Sequence, residues 1–393
     1  MEPRRLSVAA DDRTGALETA GAVADSGLTA TMVPWLAGHD GGNHQRIGLR
    51  SWSGPGDVLV VDLGSRHLEA SHAAARAEAA LSIGSERSAH KIDSTLRGNW
   101  AAELGALVAA GRRVLLVPSF PAAGRTCVGG VVLEHGVDVS EQHAANDIRS
   151  PVRSSRPADH LADAGVRDVV TVRDGDAAIR WLTADSGPGV GVCDAATDED
   201  LRALGVAWGR SDASVVLAGT AATIGAGAAA MVTEDRRSPH RPTLGLPALV
   251  VVGSANPIVR AQTDSLIAAG AFAQVVGLAR VPQSQFAQRV VVLVAPEPTG
   301  PVTHTDASTM AAALAEHVHA WLSTTEFATL VIVGGDSAAA ILGGAVMQVG
   351  GTLAPGMPWC RTLVDGKPSG PLVITKPGGF GDADALTSLL GMR

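Results

Sequence analysis

Short apolar, β-branched runs alternate with alanine-rich stretches along almost the whole chain. LSVAA (6–10) is followed by a polar turn and a helical pattern, GALETAGAVADSG. DVLVVDL (57–63) precedes GSR and a long helical stretch through Ala80. A third strand ends over His90–Asp93, ahead of a helix from about Asn99, and RRVLLVPS (112–119) leads into a Gly/Pro loop. VRDVVTV, VGVCDA and SVVLAGT continue the series, each followed by a helical pattern. In TDEDL, Thr197 and Asp200 have the spacing of a capping box. Such alternation predicts parallel sheets flanked by helices, with ligands bound beyond the carboxyl ends of the strands.

The pattern breaks once. TEDRRSPHRPTLGLP (233–247) is charged, carries three prolines and lacks an apolar period, which marks a linker. After it the alternation restarts with ALVVVGSANP, a helix from about Ile258 and RVVVLVAPE. A long helix over Ala307–Ser323 and FATLVIVGGDS follow, then a Gly- and Pro-rich end with a hairpin in WCRTLVDGKPSGPLVIT. The expected fold class is α/β, in two domains that are each a mainly parallel sheet flanked by helices, with the active site in the cleft between them. The expected boundaries are 1–235 and 248–393, joined by a linker at 236–247.

Composition narrows the class. A chain of 393 residues exceeds one ordinary core, which favours two domains. Aromatics make up 3% and tyrosine is absent, so binding by stacking on aromatic platforms is disfavoured. The net charge of -8 disfavours a general binder of nucleic acid but leaves room for a small anion held by a few cations. Cys127, Cys193 and Cys360 form no C-x-x-C pair and read as free thiols. No stretch has the apolar length of a membrane span, and the N-terminal apolar run is too short for a signal peptide. The expectation is a cytoplasmic protein without a membrane partner.

Candidate chemistry gathers where strands give way to helices. AADDRTGA (9–16) places Asp11 and Asp12 at one such turn, where an aspartate caps a helix or holds a substrate hydroxyl. DLGSRHL (62–68) offers Ser65 and Arg66, a capping pair or an anion grip. HKIDSTLRGNW (90–100) is the densest, with Lys91, Asp93 and Arg97. Lys91 and Asp93 share parity and would project to one side if the strand continues that far. VPSFPAAGRTCVGG (117–130) adds Arg125 on a stiff loop. Together these turns suit a small, hydroxylated, anionic substrate.

The second half differs in kind. VVVGSANP carries Ser254; VIVGGDS carries Gly334, Gly335 and Asp336; VGGTLAPGMPW carries Gly356, Met357, Pro358 and Trp359; TKPGGFGDADAL carries Gly378 and Gly379. Repeated glycine turns expose backbone amides to phosphates. The G-x-x-x-x-G-K-[ST] loop, the dinucleotide fingerprint and the protein-kinase motifs are absent. GAGAAA (225–230) reads as helix packing. His317 and His319 diverge on their helix, and no metal-ligand array stands out.

In order and spacing, DDRTGA, SRH, KIDSTLRGN, PSFPAAGR, VVVGS, VIVGGDS, APGMPW and KPGGFG resemble the four-carbon acid sugar kinase family over nearly the whole chain. Departures include Gly64, Ser337, Pro377 and the segment GSANPIVRAQ (253–262). The resemblance implies an N-terminal acid-sugar domain, a C-terminal ATP domain and use of ATP with Mg2+. It implies phosphorylation of the terminal (4-) hydroxyl of threonate, erythronate or 3-oxo-tetronate. By position, Asp12, Ser65, Arg66, Lys91, Asp93, Arg97 and Arg125 fall on the substrate side. Ser254, Gly334, Gly335, Asp336, Gly356, Met357, Pro358, Trp359, Gly378 and Gly379 fall on the ATP side. Asp93 or Asp12 is the expected base, and a homodimer is one assembly open to the chain. Two other readings stay open: a nucleotide- or sugar-acid-binding protein with little or no catalysis, and a nicotinamide-dependent oxidoreductase.

Overall fold

A computed structural model of the chain describes residues 4–35, 56–82, 84–147, 149–184, 187–232, 241–254, 256–276, 289–297 and 303–392. The chain divides into two compact units, Met1–Pro239 and His240–Arg393. Of the linker segment, 233–240 falls outside the described residues and 241–247 is irregular chain.

The strands of the first unit are β1 (Arg4–Ala10), β2 (Ala30–Pro34), β3 (Val58–Asp62), β4 (Ser85–Lys91) and β5 (Arg113–Val117), then the short β6 (Arg125–Val128), β7 (Val131–Glu134) and β8 (Val137–Asp138), then β9 (Val169–Val172), β10 (Gly189–Cys193) and β11 (Val216–Gly219). Its helices are α1 (Arg13–Asp25), α2 (Ala70–Leu81), α3 (Trp100–Ala109), α4 (Pro157–Asp163), α5 (Gly175–Thr183), α6 (Asp198–Gly209) and α7 (Ala221–Ala230). The main sheet runs β2-β3-β1-β4-β11-β5-β10-β9, and every pairing in it is parallel. Central strands such as VLVVD and VLAG are buried at every residue, as strands covered on both faces must be.

The chain leaves β1 toward β3 and β2, then crosses back to place β4 on the other flank of β1. That reversal opens the loops apart and is where ligands enter such sheets. The register sharpens the point. Ala10 pairs with both Asp62 and Lys91, so β3, β1 and β4 end level and release their polar turns side by side.

The second unit holds β12 (Ala248–Val252), β13 (Phe272–Val275), β14 (Val290–Val294), β15 (Thr329–Val333), β16 (Met347–Ala354), β17 (Met357–Val364) and β18 (Lys367–Lys376), with α8 (Pro257–Ala268), α9 (His304–Leu322), α10 (Gly335–Leu342) and α11 (Ala385–Leu389). The order is β13-β14-β12-β15-β18-β17-β16; the first five are parallel and the last two run antiparallel. The reversal recurs at β12, whose last residue Val252 is level with Val294 and Val333. The expected hairpin is β17–β18, and β16 extends it.

Three elements differ from the expectation. The loop after β5 continues into the β6–β7 hairpin, because Gly129 and Gly130 both take positive φ (62° and 73°), the conformation a two-residue hairpin turn demands. Strand β4 stops at Lys91, so Asp93 sits in a turn and not on the strand's alternating face. Helix α9 starts earlier than Ala307, because Thr303 and Asp306 close a capping box like that of Thr197 and Asp200 on α6. GAGAAA is indeed a packing surface: Gly225 lies against Ala22 and Gly227 against Trp208. Cys127, Cys193 and Cys360 are free and buried, and burial pushes the Cys127 and Cys193 thiols up. Among the described residues, no helix is long and apolar enough to cross a membrane.

The exposed box on α6 isolates a capping contribution. Thr197→Ala should lower stability by about 1 kcal/mol in urea denaturation and leave ligand binding unchanged; an unaltered midpoint would mean the box does not hold the helix.

Candidate active site

The turns after β3, β1 and β4 meet on one guanidinium. Arg66 Nε donates to Asp11 Oδ2 at 2.7 Å and Nη1 to Asp12 Oδ2 at 3.0 Å. Its Nη2 lies 3.6 Å from Asp93 Oδ1. The backbone repeats the link, since the Ser65 and Arg66 amides donate to the Asp11 carbonyl. Despite burial, these three carboxylates raise Arg66 well above its usual pKa.

Each aspartate is differently placed. Asp11 is fully buried, and desolvation pushes it up to about 6 against the pull of Arg66. Asp12 caps α1, accepting from the Gly15 amide at 2.9 Å and the Thr14 hydroxyl at 2.7 Å. Burial opposes its charge, but Arg66 and Lys91 hold it below the usual range. Asp93 receives Arg97 in a fork, Nε to Oδ2 at 2.9 Å and Nη2 to Oδ1 at 3.0 Å, together with the Thr95 amide and hydroxyl. Burial again opposes the charge; Arg97 and then Arg66 keep Asp93 well below the carboxylate range.

This geometry gives partners within the chain to several residues that the sequence places on the substrate side. Arg66 was to grip a substrate carboxylate, yet all three of its nitrogens face aspartates of the chain itself. Arg97 spends itself on Asp93 and, through Nη1, on Asp147 at 3.2 Å. Arg125 pairs with Glu134 at 2.7 Å. The Ser65 hydroxyl turns inward and donates to Glu103, which lies 3.0 Å from His90 in a buried pair. Lys91 is the exception. Its amine donates only to the Ile92 carbonyl at 2.7 Å, and no carboxylate pairs with it among the described residues. Asp93, one of the two expected bases, has both oxygens bound by arginine, which suits a positioning role better than proton uptake.

Two residues that shape this rim are not legible as site residues in the sequence. Asn99 looks like the start of a helix. Its Nδ2 instead donates to the carbonyls of Ser65 and Leu68 at 2.8 Å, with Arg66 at 3.5 Å, and so fixes the neighbouring turn. Gly98 lets that approach happen, because a Cβ there would stand 3.0 Å from Arg66 Cγ. Glu18, one helical turn beyond Gly15, is buried and shares the electrostatic neighbourhood of Lys91, Asp12, Arg125 and Asp93. Only its spacing from DDRTGA along α1 signals it.

The second unit presents a different rim. A cavity of about 850 Å³ opens there, within the roughly 300–1,000 Å³ of small-molecule sites. Ile267, Val275, Val294 and Met310 line it on the apolar side; Ser254 and Asp336, with Arg260, Asp264, Glu297 and Asp306, make the polar side. The backbone forms a cradle beside it: a Cβ on Gly378 would stand 2.6 Å from Ser254 Oγ, and one on Gly253 would meet Ser337 Oγ. Gly334 and Gly335 connect β15 to α10 next to Asp336. Gly379 follows in the same turn as Gly378, near Asn256. Gly356 packs on Phe380, and Gln262 Nε2 donates to the carbonyls of Phe380, Gly381 and Asp382. Met357 faces the core with Trp359 packed against it, and Pro358 lies between them on β17, so these three support the rim more than they line the cavity.

Lys376, at the end of β18, completes this unit. It is fully buried, its amine meets only the Pro377 carbonyl at 3.1 Å, and desolvation pushes it down to about 8. A carboxylate partner would have opposed that shift. His317 and His319 bond to the carbonyls of Ala313 and Ile341, so they do not converge.

Comparison with known proteins divides the chain similarly. Residues 6–227 match the family model described as a sugar-binding N-terminal domain, and residues 249–386 match a nucleotide-binding C-terminal domain. A D-threonate kinase of Bordetella bronchiseptica is 31% identical over 97% of this chain and 95% of its own. A D-threonate kinase of Salmonella typhimurium is 29% identical over 98% and 97%. A Haemophilus influenzae crystal structure, at 18% identity, covers 98% of this chain and 99% of its own with a TM-score of 0.70, a likeness of fold.

The Asp93 cluster has a stability signature. Asp93→Asn leaves two partly buried arginines short of charge and should cost about 3 kcal/mol at pH 7. The folded-state pKa of Asp93 is depressed, so its contribution is present above the unfolded-state value and is lost as pH falls through the folded one. Urea denaturation from pH 7 downward should show the gap between wild type and variant narrowing; a gap constant with pH would contradict the assignment.

Proposed function

The chain belongs to the four-carbon acid sugar kinase family, and from that premise we propose that it transfers the γ-phosphoryl group of ATP to the 4-hydroxyl of a four-carbon sugar acid. Threonate and erythronate are the first substrates to consider, with 3-oxo-tetronate beside them. The observation that carries the substrate side is Lys91, a buried amine with no carboxylate partner among the described residues, set beside Asp12 at the switch point of the sugar-binding unit.

A sugar acid supplies what that rim lacks. Its carboxylate pairs with Lys91, and its hydroxyls donate to the spare lone pair of Asp12. Arg66 and Arg97 act indirectly, holding Asp12 and Asp93 ionised and in place. Phosphoryl transfer asks chiefly for such alignment and charge stabilisation.

On the nucleotide side, the apolar walls of the second unit's cavity fit a purine, and the Ser254, Gly334 and Gly378 cradle fits phosphates. Asp336 and the phosphates together make a ligand set that suits Mg2+, which typically takes one or two carboxylates and keeps several waters. When bound, Mg2+ neutralises charge on the transferring phosphoryl group. Lys376 places an unpaired positive charge at the start of the Gly378–Gly379 turn, in surroundings that strengthen its field.

Two measurements test this reading. A coupled ADP-release assay over a panel of four-carbon sugar acids should give turnover on at least one of them with ATP and Mg2+; silence across the panel would overturn it. Calorimetry should show ADP affinity weakening as pH rises through about 8, where Lys376 loses its proton. Lys376→Met should bind more weakly and without that dependence, whereas a variant titrating like wild type would remove the lysine from phosphate recognition.

A further inference from the structure

Resting on the kinase reading above, we propose that Glu18 is the carboxylate that takes the proton from the attacking hydroxyl of the sugar acid. Four acidic side chains crowd the rim of the first unit, and the structure distinguishes them. Asp11 is sealed from solvent and tied to Arg66. Asp12 has both oxygens in hydrogen bonds. Asp93 is forked by Arg97. Glu18 has no hydrogen bond or ion pair among the described residues, and its Oε1 is buried without a partner. It keeps 9% of its surface, enough for one edge of the carboxylate to meet a ligand.

An unpartnered carboxylate in such a place is costly to fold around, and a ligand hydroxyl would offset that cost. The groups acting on Glu18 are Lys91, Asp12, Arg125 and Asp93, two of each sign. The other elements packed on α1 add little. Helix α7 and strand β2 carry no titratable side chain, and Asp62 on β3 is paired with Arg13; β1 adds Arg4 and Arg5, the latter bonded to the Met231 carbonyl, and β4 adds, besides Lys91, the exposed Glu86, Arg87 bonded to the Gly209 and Ser211 carbonyls, and His90 paired with Glu103. Burial therefore dominates and raises Glu18 above its ordinary value, the direction that favours proton uptake.

The step balances simply. The hydroxyl O–H bond breaks and its proton passes to a Glu18 oxygen. The freed electron pair forms the bond to the γ-phosphorus, and the bond to the bridging oxygen breaks, so ADP leaves with that pair. Glu18, now a neutral acid, returns its proton to water after the products depart.

Glu18→Gln keeps the shape and removes the base. Its kcat should fall about 10²- to 10⁴-fold, with KM for the acid near that of wild type. The wild-type kcat should decline as pH drops and Glu18 protonates, and that acid limb should vanish in Glu18→Gln. Glu18→Asp should recover part of the rate. A Gln variant that keeps the wild-type kcat and acid limb, or one that raises KM alone, would overturn the proposal and leave the kinase reading intact. Failure of the wild type on every four-carbon acid would overturn both.

Discussion

One arginine set among three aspartates is the constraint on which the sugar-binding unit depends. Arg66 comes from the turn after β3, Asp11 and Asp12 from the turn after β1, and Asp93 from the turn after β4. Without the cation, three carboxylates on adjacent strand ends would repel one another in a buried setting. With it, three loops that the sheet merely brings level become one rigid wall. The cost of that solution is that the most conspicuous cation is used internally. Lys91 is the cation that the cluster leaves without a carboxylate partner among the described residues.

The nucleotide-binding unit solves a similar problem with backbone. Its rim is made of glycine turns packed on one another and on Ser254, with Lys376 buried at the edge. Charge in the first unit is exchanged between side chains; in the second it is supplied mostly by amide dipoles and one isolated ammonium. The two rims thus differ in kind. One is built of paired side-chain charges, the other of backbone in close approach.

Much of this was legible in the residues themselves. The apolar runs of β1, β3, β5, β12 and β15 marked the strands, and DDRTGA, SRH and KIDSTLRGN marked the turns, because polar residues at the ends of buried strands stand out against an alanine-rich background. Partnership was not legible. Arg66 and Arg97 look alike to an anion on paper; the fold brings Arg66 to the aspartates of another turn, whereas Arg97 folds back on Asp93 within its own. The capping box at Thr303 has the same spacing as that at Thr197 and sets the start of α9 ahead of the alanine-rich run. Glu18 and Lys376 stayed hidden for a common reason. A charge inside a helix or at a strand end looks like solvated surface until its burial is known.

Asn99 and Gln262 do the same job in the two units. Each is a neutral amide whose Nδ2 or Nε2 spans three main-chain carbonyls of a functional turn. Such a clamp reads the path of the backbone and is blind to the side chains it carries. The clamp therefore holds the loop's course through main-chain atoms alone. Across a lineage, that separates the inheritance of loop shape from the inheritance of ligand preference, and one scaffold can pass between related acids by changing what the turns display.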